Sequence, residues 1–174
     1  MNSKIIFDSK KWHACQDHDW QDCALNANCY SYALNRPEYY WSVPGIGFVK
    51  TQAKKYIEDF NNYFKDVSLT EYRNELLQGA VRDGLIPTHE PIDREGYYLA
   101  ALFFAHNEHD FHWYRKDDDG AWSHKDGWHA ARNRDDNGNL LIDPRQTTHP
   151  PYSIFGGFFL VPRAGVKLSQ NFSL

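Results

Sequence analysis

Asp110-Phe111-His112-Trp113-Tyr114-Arg115-Lys116, then Asp117-Asp118-Asp119-Gly120, then Ala121-Trp122-Ser123-His124-Lys125, reads as two strands around a turn. Aromatic residues recur in both arms, and an aspartate run ending in glycine suits a chain reversal. With the turn centred near Asp118, the two histidines face each other closely. An ideal two-residue turn sets Lys125 across from His112, and one bulged residue brings His124 there. A hairpin of this kind needs further strands to bury it, and both flanks offer them. Upstream, Tyr97-Tyr98-Leu99-Ala100-Ala101-Leu102-Phe103-Phe104 is a short continuous apolar run, the pattern of a buried strand. Downstream, Asn137-Gly138 marks a turn before Leu140-Leu141-Ile142-Asp143-Pro144, and Gly157-Phe158-Phe159-Leu160-Val161-Pro162 supplies a closing strand.

The first half has a different period. From Thr51 to about Phe64, the residues Ala53, Tyr56, Ile57, Phe60 and Phe64 recur at helical spacing. Ser68-Leu69-Thr70-Glu71 is a capping box opening a second helix through Leu76, Leu77, Ala80 and Val81, which Asp83-Gly84 stops. Val43-Pro44-Gly45-Ile46-Gly47 reads as a loop, and Ile5-Ile6-Phe7 as a short edge strand. Ahead of these helices lies Asn28-Cys29-Tyr30-Ser31-Tyr32-Ala33-Leu34, with Asn26 and Asn28 as helix-start residues and Tyr30, Ala33 and Leu34 at i, i+3, i+4. The expected architecture is α+β in one domain over residues 1–174, with N-terminal helices packed on an antiparallel sheet.

Composition removes several function classes. At 174 residues the chain is long enough for a real core. A net charge of −4 without a clustered basic face argues against nucleic acid. No run approaches the roughly 18 apolar residues of a membrane span. The segment Met1 to Lys11 is too polar for a cleaved signal peptide, so the expected place of synthesis is the cytoplasm, with any export by a dedicated route. Cys15, Cys23 and Cys29 are expected to be free thiols. His13, Cys15, His18 and Cys23 follow no established zinc spacing, and Asp117 to Gly120 and Asp135 to Asn139 lack the glycine and glutamate of a calcium loop. Neither a metal nor another cofactor is expected.

What remains is thiol chemistry. A cysteine at a helix N-terminus meets unpaired backbone N–H groups, which favour thiolate and can hold an oxyanion. A nucleophile also needs a base, and the base a third group to orient it. Among nine histidines, His112 begins a rigid hairpin strand and His124 lies on the return strand. His124 and Asp143 are rivals for the third position, and the carboxylate of Asp143 would be the better acceptor.

These segments resemble the NlpC/P60 and CHAP branch of papain-like cysteine hydrolases. Asn28-Cys29-Tyr30-Ser31-Tyr32-Ala33 is similar to the nucleophile segment of CHAP domains, and His112 to His124 to the His-strand-turn-strand-His element of NlpC/P60 domains. Less characterised domains share Asn28 to Tyr30, His112 to Arg115, Trp122 to Lys125 and Asp143 to Arg145. The resemblance covers about half of the chain. It implies a papain-like fold, with the Thr51 to Gly84 helices as an insert between the cysteine helix and the sheet. It also implies amide or peptide hydrolysis, often of peptidoglycan peptides, by Cys29, His112 and His124 or Asp143. Relatives of that kind act as bacterial toxins or effectors, so an immunity or inhibitor protein would be a partner. Two other readings stay open: transacylation or deamidation of a protein or lipid on the same fold, and a non-enzymatic binding module with Cys29 as a buried apolar residue. Gln21 and Asn26 are the candidate side-chain oxyanion donors.

Overall fold

The computed structural model describes residues 4–12, 27–51 and 53–170, so the readings of His13, Cys15, His18, Gln21, Cys23 and Asn26 fall outside the described residues. The arrangement is α+β: helices α1 (Cys29–Ala33), α2 (Ala53–Phe64) and α3 (Leu69–Arg82) precede most of the sheet. Strands β1 (Trp41–Val43) and β2 (Gly47–Val49) pair as a small hairpin. Strands β3 (Ile86–Thr88), β4 (Tyr97–Ala105), β5 (Phe111–Lys116), β6 (Trp122–His124) and β7 (Tyr152–Pro162) form a five-stranded sheet in the spatial order β3-β7-β4-β5-β6. Every pairing in it is antiparallel.

The apolar run Tyr97 to Phe104 is the central strand because both of its faces are covered. Tyr98, Ala100, Leu102 and Phe104 join the helices in one core, while Leu99, Ala101 and Phe103 meet Tyr114, Trp122, Phe158 and Leu160 in another. Burying a large apolar side chain of this kind contributes about 1.5–3 kcal/mol relative to leaving it exposed. Helix α3 starts as its sequence dictates: Ser68 Oγ accepts from Glu71 N and Glu71 Oε2 accepts from Ser68 N. Gly79 faces the backbone of Pro44 and Gly45, and a methyl group there would overlap Pro44 O.

The structure alters the hairpin register. Tyr114 stands opposite His124, Arg115 opposite Ser123 and Lys116 opposite Trp122. The turn is centred on Asp119 rather than Asp118, because Asp117 N donates to Ala121 O and Gly120, at φ +89°, closes a longer loop. His112 and His124 are therefore diagonal neighbours on one face. Elsewhere, Pro44 to Ile46 is the turn of the β1–β2 hairpin, with Gly45 at φ +76°. Ile5 makes no strand; its N–H donates to Asp118 Oδ2 and its carbonyl accepts from Asp118 N, fastening the segment to the hairpin turn. The closing strand begins at Tyr152, ahead of the expected Gly157, and Leu140 makes only an isolated bridge to Arg134.

Arg115 is fully buried beneath α1. Its guanidinium lies 4.1 Å from the Tyr32 ring centroid and donates to Tyr32 O, Tyr32 Oη, Asn35 Oδ1 and Ile6 O. Asp117 Oδ1 neutralises it at 2.8 Å. Asp117 Oδ2 accepts from Ser123 Oγ, and because Tyr32 Oη already accepts from Arg115, its own proton points to Ser123 Oγ. Removing the cation leaves a buried carboxylate without a counter-charge. Arg115→Met is expected to lower the unfolding free energy by about 3–5 kcal/mol in urea denaturation, and adding Asp117→Leu to recover part of that loss.

Candidate functional site

Asn28 Oδ1 accepts from Ser31 N and caps α1, while Asn28 Nδ2 donates to Ser42 O on β1. The cap sets Cys29 at the first position of the helix, against the edge of β5. The thiol donates to Phe111 O, with Sγ 3.7 Å from that oxygen. Cys29 and His112 line one pocket of about 470 Å³ with Trp41, Tyr56, Phe60 and Tyr152, though no hydrogen bond joins Sγ to the His112 ring among the described residues. Burial pushes the Cys29 thiol well above its ordinary value, and the backbone N–H groups of Trp113 and Tyr30 only partly oppose it. The thiolate expected from the helix position is thus overruled: five residues of helix give too little stabilisation to offset full desolvation.

His112 reaches its partner across the hairpin, with Nε2 and His124 Nδ1 2.8 Å apart. The proton positions follow from the far end of the chain. Arg134 O lies 3.2 Å from His124 Nε2 and, as a carbonyl, can only accept, so His124 carries its proton on Nε2. His124 Nδ1 is then an acceptor, and His112 Nε2 must be the donor. This leaves a lone pair on His112 Nδ1, which has no hydrogen-bond partner among the described residues. Burial holds both rings neutral, lowering His112 well below the ordinary histidine value and His124 to about 4. A neutral thiol and a neutral base share the pocket.

Asp143 is not part of this assembly. Its carboxylate caps a one-turn 3₁₀ helix, Pro144–Gln146, by accepting from Arg145 N, and it also pairs with the Arg145 side chain at 2.7 Å. Cys29, His112 and His124 come together; the rival third residue corrects to a local turn.

Two groups absent from the sequence reading complete the cluster. Asp126 Oδ1 lies 3.0 Å from His149 Nε2, 3.7 Å from His112 Nε2 and 3.8 Å from His124 Nδ1. Burial works against its charge, but His149, His112 and His124 together hold the carboxyl far below the usual range. His149 Nδ1 meets Asp136 Oδ2 at 3.0 Å, and these two carboxylates outweigh desolvation to raise His149 above its ordinary value. Arg132 bridges Asp126 and Asp136 at 3.1 and 2.6 Å. Behind the cluster, buried Lys125 donates to Gly127 O at 2.8 Å and fixes the bend that presents Asp126; desolvation brings it down to about 7. The alternation of β6 does continue to Asp126, two places after His124. His149 stands in a loop before Pro150-Pro151, where no periodicity marks it.

A thiol pushed upward reacts only when base converts it. Iodoacetamide labelling of Cys29, read by peptide mass mapping so that Cys15 and Cys23 are scored separately, should be slower than for a free thiol at neutral pH. It should keep rising past the ordinary thiol value of 9.0. A rate already level below neutral pH would mean a resting thiolate.

Among the described residues, no helix is long and apolar enough to cross a membrane. No family model matches the chain, and no solved structure matches it. It is 37% identical over 141 residues to insoluble matrix shell protein 1 of Ruditapes philippinarum, covering 80% of this chain and 83% of that one. With that extent of shared sequence, the chain belongs to the family of insoluble matrix shell protein 1.

Proposed function

We propose that the protein is a papain-like thiol hydrolase of NlpC/P60 or CHAP type that cleaves an amide or peptide bond, with Cys29 as nucleophile, His112 as base and His124 as the group that orients it. The observation that carries this reading is the directed pair of histidines: His124, fixed on Arg134 O, leaves His112 Nδ1 with a free lone pair, and His112 and Cys29 line one pocket. Because both partners rest neutral, the proton moves during attack. His112 Nδ1 takes it from Sγ as sulfur bonds to the carbonyl carbon, and the Cys29 backbone N–H steadies the oxyanion. Collapse breaks the C–N bond, and His112 returns the proton to the leaving amine. Water then attacks the thioester with His112 again as base, releasing the acid and restoring the thiol. Aromatic walls from Trp41, Tyr56 and Tyr152 suit an apolar side chain next to the scissile bond.

A non-enzymatic reading is favoured by one observation, the name of the relative, which describes a matrix protein of shell. Under it, Cys29 is a buried apolar residue. Turnover separates the two readings. With peptidoglycan fragments and small peptide amides as substrates, Cys29→Ala should abolish hydrolysis and His112→Ala should lower kcat about 10²–10⁴-fold, while Asp143→Asn leaves the rate unchanged. Equal hydrolysis by Cys29→Ala, or none by the unaltered protein, removes the enzymatic reading.

A further inference from the structure

We propose that His112, His124, Asp126 and His149 also form a binding site for one divalent transition-metal ion of the zinc type. Each offers one donor atom, and the offered atoms lie within 4.8 Å of one another. His112 Nε2 lies 2.8 Å from His124 Nδ1, and Asp126 Oδ1 lies 3.0, 3.7 and 3.8 Å from His149 Nε2, His112 Nε2 and His124 Nδ1. Tetrahedral zinc with bonds of about 2.0–2.1 Å needs its ligands roughly 3.4 Å apart, so side-chain shifts of about an ångström or less close the shell. Three imidazoles and one carboxylate favour zinc, cobalt or nickel over calcium or magnesium, which take oxygen ligands.

The surroundings are those that orient metal ligands. His149 turns its other nitrogen to Asp136, His124 turns its own to Arg134 O, and Asp126 keeps its second oxygen on Arg132. The acceptors behind His149 and His124 fix ring orientation and increase ligand basicity, while Arg132 holds the Asp126 carboxylate in place. His124 and Asp126 share one stretch of chain, while His112 and His149 come from two others, so the convergence is not a by-product of one turn.

This site overlaps the proposed base, and that part of the inference rests on the hydrolase reading. A metal on His112 Nε2 displaces the proton held there, and a neutral imidazole must then carry its proton on Nδ1. The Nδ1 lone pair is lost. Metal occupancy and general-base action by His112 exclude each other, so the metal acts as an inhibitor and not as a catalyst.

The test is titration of the full chain and of Cys29→Ala with Zn²⁺ by calorimetry, together with the visible spectrum of the Co²⁺-loaded protein. Expected are one ion per chain with or without Cys29, a tetrahedral Co²⁺ spectrum without thiolate charge transfer, and at least a tenfold loss of affinity in His149→Gln and Asp126→Asn. Cys15→Ser/Cys23→Ser should bind as the unaltered protein does. Absence of binding, a thiolate band, unchanged affinity in His149→Gln, or loss of binding in Cys15→Ser/Cys23→Ser would each overturn the site. The Co²⁺ spectrum is read on the unaltered chain, so a variant that fails to fold does not decide the outcome. Failure of hydrolysis leaves the calorimetric result standing, and active protein that Zn²⁺ binds but does not inhibit overturns the exclusion alone.

Discussion

The guanidinium of Arg115 is the constraint on which the rest is built. It sits in β5 three residues after His112, yet its donors end on α1, on Asn35 and on the N-terminal segment. A charge in such a place is costly unless every donor is used and a counter-charge is near. Meeting that demand requires α1 at one height along β5 and Asp117 folded inward. The inward Asp117 lengthens the turn, the longer turn resets the register, and the register makes His112 and His124 diagonal. The position of α1 brings Cys29 to the same edge. One buried charge thus couples the hairpin to the helix from which the thiol projects.

The chemistry around His112 depends on desolvation more than on local charge. Cys29 stands where a helix dipole favours thiolate, but its burial prevails and the thiol stays protonated. His112 and His124 are driven toward neutrality by the same cause, even with Asp126 nearby. Positive charge collects instead on His149 and Arg132, which lie between two carboxylates. The neutral groups, Cys29, His112 and His124, therefore stand beside a charged set made of Asp126, Asp136, His149 and Arg132.

Local rules made much of this legible. The capping box fixed the start of α3, the apolar spacing marked α2, and the continuous run Tyr97 to Phe104 marked the central strand, since each signal arises within a few neighbouring residues. Cys29, His112 and His124 could be selected because they stand at element starts or alternate along a hairpin. The exact register could not, because it answers to Arg115 and Asp117, a long-range electrostatic demand with no periodicity. His149 escaped for the same reason, since its partner Asp126 lies 23 residues away in the chain, whereas Asp126 does continue the alternation of β6. Asp143 was attractive as a carboxylate, but the following Pro144-Arg145 satisfies it locally.

The last acceptor of the histidine chain is the backbone carbonyl of Arg134, not a side chain. A peptide carbonyl is present whatever residue occupies the position, and it cannot be removed by point substitution. Evolution can thus change residue 134 freely while the direction of the hydrogen bonds stays the same. The orienting end of this site leaves no letter in the sequence, and a search for a fourth polar residue behind His124 would look for something the fold already provides.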